Sequence, residues 1–375
     1  DPKTKETANQ HMRWEALAVL AETDSSDVSF LVQKFPDRTI SSKLARLHNG
    51  DLYGGIELCI HLEPGAGAPW RDIQIEHAKL HHGKKLCDAL AGFLKRNDLS
   101  TDMRIGALRL AGHFANSDLA LSIEVCWEQD KERENHLADY LWAAAECCGK
   151  DIESLLGPIC DAWAALPNTS EQEHLPSQRD EVAAYEVRWA FEKWPPFQAI
   201  DYFIKRARNE DLRWPITFML HTIDDPEAVV FIAQELATIM EHIEGTSNFP
   251  PFISSVKEDW QRAQENGRPM SLPSRKALSE LWQNKENSKH LRTQAFQLWA
   301  STRYPQDLEI LRNTESSDIL ADKILVERLV RSDKNAIPKL IEKLPSDGNG
   351  FWWQYGRYIW SSELSKALDR YLDER

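Results

Sequence analysis

Apolar residues recur along this chain at helical spacing. Trp14, Leu17, Ala18 and Ala21 fall at i, i+3, i+4 and i+7, one face of an amphipathic helix. A polar turn at 24–27 follows, and Val28, Leu31, Val32 and Phe35 then repeat the spacing. Two such helices joined by a few polar residues fold back on each other as an antiparallel hairpin. Asp27 stands where its carboxylate can accept the free N–H groups of the second helix.

The unit returns further on. Ala107, Leu108, Ala111 and Phe114 precede the turn at 116–118, and Leu119, Ile123, Cys126 and Trp127 follow it. Leu137, Leu141, Ala144, Ala145 and Cys148 form the next stripe, with Gly149 placed to end it in a left-handed conformation. Asp151 then caps a helix carrying Ile152, Leu155, Leu156, Ile159 and Trp163. Val229, Ala233, Leu236 and Met240 share one face of a helix over 227–241. Near the C-terminus, Leu291, Ala295 and Leu298 precede a turn ending at Asp307, with Leu308 and Leu311 beyond it. Asp333 precedes Ile337, Leu340, Ile341 and Leu344. Asp118 and Asp151 are 33 residues apart, and Asp307 and Asp333 are 26 apart. A helix, an Asp-bearing turn and a second helix at about 30-residue spacing form the pattern of a stacked helical array.

Polar or proline-bearing breaks fall at 166–180, 245–251 and 266–274, and Pro195, Pro196 and Pro215 sit where helices can begin. One segment is ambiguous. Ile56, Leu58, Ile60 and Leu62 alternate with polar residues as in a strand, yet Leu52, Ile56, Cys59 and Ile60 also keep helical spacing. In a chain otherwise patterned for helices, the helix is the expected outcome.

The stretches 103–127 and 333–344 resemble HEAT-type (armadillo-like) repeats, in which an A helix, a short Asp-bearing turn and a B helix lie side by side. Residues 335–341 are similar to the start of their B helices, and the likeness is clearest over 11–35, 101–165 and 288–375. The resemblance implies an all-α fold, an α-α superhelix or solenoid of antiparallel helix pairs. The expected organisation is N-terminal repeats over 1–165, a polar joint at 166–180, divergent helical pairs over 181–285 and C-terminal repeats over 286–375. The resemblance also extends to the C-terminal sensing arms of bacterial signalling NTPases. The chain opens on Asp1 and a polar lead-in over 1–10, which reads as part of something larger.

Charge narrows the partners. The net charge is −14, of which −10 lies between Glu128 and Glu186, with −2 on either side. A nucleic-acid binder needs a basic stripe that releases phosphate counterions, so the acidic centre argues against that class. It reads instead as a solvated face or as a docking surface for a basic partner. No apolar run approaches the roughly 20 residues that cross a bilayer. The absence of a basic-then-apolar leader points to a cytoplasmic protein with no membrane association. The six cysteines form no Cys-x-x-Cys pair; Cys126, Cys148 and Cys160 lie on apolar faces and read as small buried hydrophobes.

Candidate chemistry is sparse. His77 and His81 stand at i, i+4 beside Glu76 and His82, so one helical face could offer two imidazoles to a metal. No third ligand completes the set, so no metal site is assigned. Gly65 and Gly67 precede a helix, but Trp70 occupies the third position of a dinucleotide loop. Neither a phosphate loop nor a nucleophile elbow occurs, and no cofactor is expected. The densest aromatic run is 351–360. On a helix Phe351, Tyr355 and Tyr358 share a face, while Trp353 and Arg357 fall elsewhere. A terminal repeat lacks a neighbour on one side, so this run either caps the stack or receives a partner. Trp352, Trp353, Arg357 and Trp360 are the partner-binding candidates.

The expected function is thus a non-catalytic scaffold that binds another macromolecule, foremost a protein. Two other classes stay open. The 14 Trp and many carboxylates would suit a carbohydrate-active enzyme on an α/α toroid, although most Trp residues sit at core spacing. A helical-repeat nucleic-acid binder would need the near-neutral flanks to gather their basic residues on one face.

Overall fold

The computed structural model of the chain describes residues 52–53, 56, 69–168, 177–208, 212–243, 251–265, 267–314, 319–346 and 351–373. All regular structure among them is helical, and no strand occurs there. Of the ambiguous segment, Leu52 and Ile56 are helical, and 57–62 lie outside the described residues. So do the repeat expected at 11–35, Cys59, the Gly65–Gly67 loop and the break at 245–250. The chain divides into two compact units, 1–224 and 225–375.

In the first unit the helices are α1 (Pro69–Leu94), α2 (Thr101–Phe114), α3 (Ala120–Gln129), α4 (Leu137–Cys147) and α5 (Ile152–Ala165). They continue as α6 (Gln178–Glu181), a π-helical turn (Val182–Val187), α7 (Arg188–Lys193), α8 (Ile200–Ala207) and α9 (Arg213–Leu220). α1 packs on α2 and α3, α3 on α4, and α4 on α5. α2 lies against α4 and α4 against the π-helical turn, while α3 lies against α5. Alternate helices thus form two layers, which is how stacked hairpins cover one another's apolar stripes. Ala107, Leu108, Ala111 and Phe114, the stripe read from the sequence, are all buried.

The second unit contains α10 (Pro226–Ile243), α11 (Pro251–Glu265), α12 (Leu272–Gln283), α13 (Lys289–Ser301) and α14 (Asp307–Asn313). It ends with α15 (Ala321–Val330), α16 (Ile337–Lys343), a 3-10 helix (Trp353–Tyr358) and α17 (Ser362–Asp373). α10 packs on both α12 and α13, α11 on α13, α15 on the 3-10 helix and α16, and α16 on α17. Trp282, Phe296 and Trp299 fill the centre of its first half, edge-on and tilted at 5.4 to 6.1 Å.

Of the stretch 166–180, expected as a polar loop or joint, residues 166–168 and 177–180 are described. Its two described ends are tied together and to α5. The Trp163 indole donates to the Arg179 carbonyl at 2.9 Å, and Arg179 Nε donates to the Leu166 carbonyl at 3.2 Å. The two compact units divide at Asp224–Asp225, inside the segment read as divergent pairs.

Helix ends show where local chemistry overrides simple spacing. Asp151 caps α5, accepting from Ser154 N, and Asp333 caps the 3-10 turn before α16, accepting from Asn335 N. Asp118 does not cap; Asn116 does, accepting from Asp118 N at 2.9 Å, because a 3-10 turn precedes α3 and moves the cap upstream. Nor does Asp307 cap α14. Its carboxylate accepts from Tyr304 N and turns inward to Arg275. Gly149 is not left-handed: α4 ends at Cys147, and Cys148 leaves in an extended conformation. The left-handed ends among the described residues fall on Gly267 (φ 75°) after α11 and on three side-chain-bearing residues, Ala115 (φ 49°), Arg303 (φ 44°) and Ser332 (φ 59°). At Ser332 the following N–H, of Asp333, bonds the Arg328 carbonyl at 2.9 Å, closing a Schellman turn. Pro215 lies in the first turn of α9 as expected, whereas Pro195 and Pro196 lie in the loop before α8.

One close approach fixes the register of α2 against α4. A Cβ on Gly112 would stand 2.9 to 3.1 Å from three ring atoms of Trp142, which is fully buried. Gly112→Ala is therefore expected to destabilise the chain by about 1–2 kcal/mol, the overpacking outweighing the gain in helix propensity. Urea unfolding of the two chains measures it; a stabilised variant would show that α4 shifts freely.

Candidate functional site

Buried Arg–Asp pairs recur in both units and position much of what surrounds the site. Arg104 reaches Asp130 at 2.5 Å and Arg109 reaches Asp139 at 2.7 Å. In the second unit Arg275 pairs with Asp307, and Arg331 lies 3.6 Å from the same carboxylate. Arg275 also donates to the Trp299 carbonyl at 3.0 Å and covers the Tyr304 ring at 4.1 Å. Asp333 accepts from both Arg312 and Arg328 at 2.7 Å. Burial works against charge on Asp333, but the two guanidiniums hold its carboxyl below the ordinary carboxylate range.

The aromatic run at 351–360 is built on this frame. It forms a turn and a 3-10 helix, and Ser332 Oγ donates to the Tyr358 carbonyl at 3.0 Å. Phe351, Tyr355 and Tyr358 share a face, with ring centres 5.4 and 6.2 Å apart in succession. Trp352 turns the other way. It is only 8% exposed and packs with Leu325, Leu329, Leu340, Ile359 and Leu364. Of the four partner-binding candidates, Trp352 is therefore core, and the Trp353 side chain lies outside the described residues. Trp360 is 78% exposed, and Arg357 is exposed with its guanidinium over the Tyr358 ring at 4.8 Å and donating to the Tyr358 hydroxyl at 2.8 Å.

Phe351 and Tyr355 form one wall of a cleft of about 470 Å³. Helix α11 contributes Lys257 and Gln261; α13 and its end contribute Gln297, Ser301 and Arg303; α15 contributes Asp322, Lys323, Val326 and Glu327. Lys257 donates to the Gln297 side-chain carbonyl. Burial, with the Lys323 ammonium close by, brings the Lys257 amine down to about 8, against a smaller opposing pull from Glu327. Here a half-buried amine faces an open cavity lined by further charges and rings. Sequence reading did not find it, because its residues come from four segments spread over 257–355 and Lys257 merely flanks the apolar stripe of Val256, Trp260 and Ala263.

Other candidates carry less. The side chains of His77 and His81 lie outside the described residues, and among those described no group of three His, Cys, Asp or Glu is placed to hold a metal ion. The five described cysteines are buried and free. Burial pushes Cys160 up to about 12 and Cys148 up to about 11, so both stay protonated and unreactive at neutral pH. In the first unit His113 sits edge-on between Trp142 and Trp194 at 4.9 and 5.0 Å, and burial with Lys193 and Lys79 nearby lowers it to about 3, leaving it neutral. Burial raises Glu146 in the same cluster to about 8. Trp142 and His113 are buried in this cluster, and Glu146 and Trp194 are half-buried beside them.

The class that the fold defines is an all-α protein of helices stacked against their sequence neighbours, with a charged, aromatic-walled cleft in its second unit. No protein-family model, curated protein or solved structure matches this chain. No helix among the described residues is long and apolar enough to cross a membrane.

Proposed function

We propose that this chain is a non-catalytic recognition module of HEAT-like repeats that binds another protein. The exposed end of the second unit, with Trp360, Arg357 and Tyr358, forms the contact. The observation that carries this reading is the exposure of Trp360. A tryptophan 78% in solvent leaves a large apolar area unburied, next to an aromatic and an arginine already stacked on each other. Trp, Tyr and Arg are the residues that most often anchor protein interfaces. The two-layer stacking of α2 to α5 supports the repeat assignment, since each hairpin covers its neighbour's stripe. Burial of Trp127, Trp142, Trp163, Trp282 and Trp299 supports recognition over saccharide chemistry, because these rings build the core and are not free to stack on sugars.

Pull-down with the full chain, followed by titration of the recovered protein against wild type and Trp360→Ala, tests the reading. A stoichiometric partner whose affinity falls about 30-fold in the variant is the expected result, a loss of about 2 kcal/mol. An unchanged affinity would remove Trp360 from the interface. Turnover of an oligosaccharide, abolished by one carboxylate-to-amide change, would replace the reading with an enzyme.

A further inference from the structure

The cleft in the second unit has a charge arrangement that protein recognition at Trp360 does not use. Its two carboxylates are engaged by cations outside it: Glu327 pairs with Arg331, and Asp322 Oδ1 receives Lys343 Nζ at 2.8 Å. Three basic side chains remain around the cavity, Lys257, Lys323 and Arg303. None of the three has an ion-pair partner among the described residues, and the only acceptor on Lys257 is the neutral Gln297 side chain. Lys257 is half-buried while Lys323 and Arg303 are exposed, so the like charge of Lys323 weighs most on the desolvated Lys257 amine, and an anion between them relieves it. The opposite wall is aromatic, with Phe351 exposed toward it and Tyr355 half-buried beside it. Arg303 reaches the mouth from a left-handed backbone position that a glycine would occupy with less strain. The volume is that of a small-molecule site.

The geometry points to this cleft as a binding site for a small aromatic anion, its carboxylate or phosphate group held by Lys257, Lys323 and Arg303 and its ring laid against Phe351 and Tyr355. The anion supplies the counter-charge that the three cations lack. Its ring covers the apolar wall, and the pairing of Glu327 with Arg331 and of Asp322 with Lys343 keeps those carboxylates from repelling it. Binding also draws a proton onto Lys257, whose amine otherwise titrates near 8 with Lys323, Glu327 and Asp322 facing it from α15, Arg303 and Gln297 from α13 and Tyr355 from the 3-10 helix. Affinity therefore falls as pH rises above 8.

The test titrates the full chain with phenyl phosphate and with benzoate, using benzyl alcohol as the neutral comparator and inorganic phosphate as the ringless one. Ligand-observed NMR or calorimetry gives the affinities at pH 7 and pH 9.5. At least one aromatic anion is expected to bind saturably at about 1 mM or tighter. Benzyl alcohol and inorganic phosphate should each bind at least tenfold more weakly. A preference for phenyl phosphate assigns the site to phosphate esters, and a preference for benzoate assigns it to carboxylates. Lys257→Met and the exposed Lys323→Met should each weaken binding about tenfold, and the loss of affinity at pH 9.5 should vanish in Lys257→Met. The inference is overturned if neither anion binds, if benzyl alcohol binds as tightly as the anions, or if Lys323→Met, with circular dichroism and melting unchanged, leaves affinity untouched. None of these outcomes depends on Trp360, so this site and the protein interface stand or fall separately.

Discussion

Asp333→Ala is expected to cost the chain about 3–5 kcal/mol and to leave the second unit largely unfolded in mild urea. Asp333 is 1% exposed, yet three donors converge on its carboxylate: Arg312, Arg328 and the N–H of Asn335. Removing it strands the buried Arg328 guanidinium without a counter-charge, which is the costly way to break a buried pair. It also removes the cap of the turn that starts α16, worth about 1 kcal/mol by itself. Asp333→Asn should fall between the two, since the amide oxygen restores the cap without the charge. The sign of the acid response follows from the depressed carboxyl. Its contribution is complete above the unfolded-state value and is lost as pH falls through the lower folded-state value. Asp333→Asn should therefore weaken the acid sensitivity seen in urea unfolding between about pH 5 and pH 2. A change below about 1 kcal/mol for the alanine variant would mean that Arg328 finds solvent or another acceptor once freed.

Lys257→Met is expected to act in the opposite direction, stabilising the fold at pH 7 by about 1–3 kcal/mol while removing affinity for aromatic anions. The folded-state amine lies near 8, below the roughly 10.4 of an unfolded lysine, so folding pays for holding the charge in the cleft. At pH 7 both states are protonated and the penalty is present in full. As pH rises from 8 to about 10.5 the folded lysine loses its proton first, and the wild type gains stability on the variant. The stabilising effect of methionine should thus shrink across that window, and solvent reaching the cleft sets it below the full electrostatic limit. Chemical unfolding at pH 7, 9 and 10.5 gives the comparison. A variant less stable than wild type at pH 7 would show that the ammonium is compensated in the unliganded cleft.

Much of the fold was legible because helices announce themselves by spacing alone. The stripe of Ala107, Leu108, Ala111 and Phe114 became one buried face of α2, and Leu155, Leu156, Ile159 and Trp163 one face of α5. Asp151 and Asp333 were recognisable as caps because each directly precedes its helical turn. Asp118 misled because one turn of 3-10 helix precedes α3 and hands the cap to Asn116. Gly149 misled because a glycine permits a left-handed end without requiring one, whereas the exposed Ala115, Arg303 and Ser332 adopt it while carrying side chains. In the aromatic run, the shared face of Phe351, Tyr355 and Tyr358 survived the change from α to 3-10 geometry. The burial of Trp352 did not show in the spacing, since it depends on α15, α16 and α17 closing over it. The cleft was invisible for the same reason. Lys257 and Lys323 are ordinary surface lysines in any local window, and only the packing of distant helices sets their charges against one cavity.

The three left-handed helix ends that carry side chains leave headroom for engineering. Ala115 and Ser332 lie outside the cleft, and each keeps a side chain where the backbone favours glycine. Changing Ala115 to glycine relieves that strain without touching a core ring or an ion pair, whereas Ser332→Gly also removes the hydrogen bond from Ser332 Oγ to the Tyr358 carbonyl. Arg303 is the exception that gives the pattern meaning: the same exchange there would relax the backbone and delete a cation from the mouth of the cleft. A thermostabilised version of this chain is reached through Ala115, with Arg303 kept as a handle for tuning what the cleft admits.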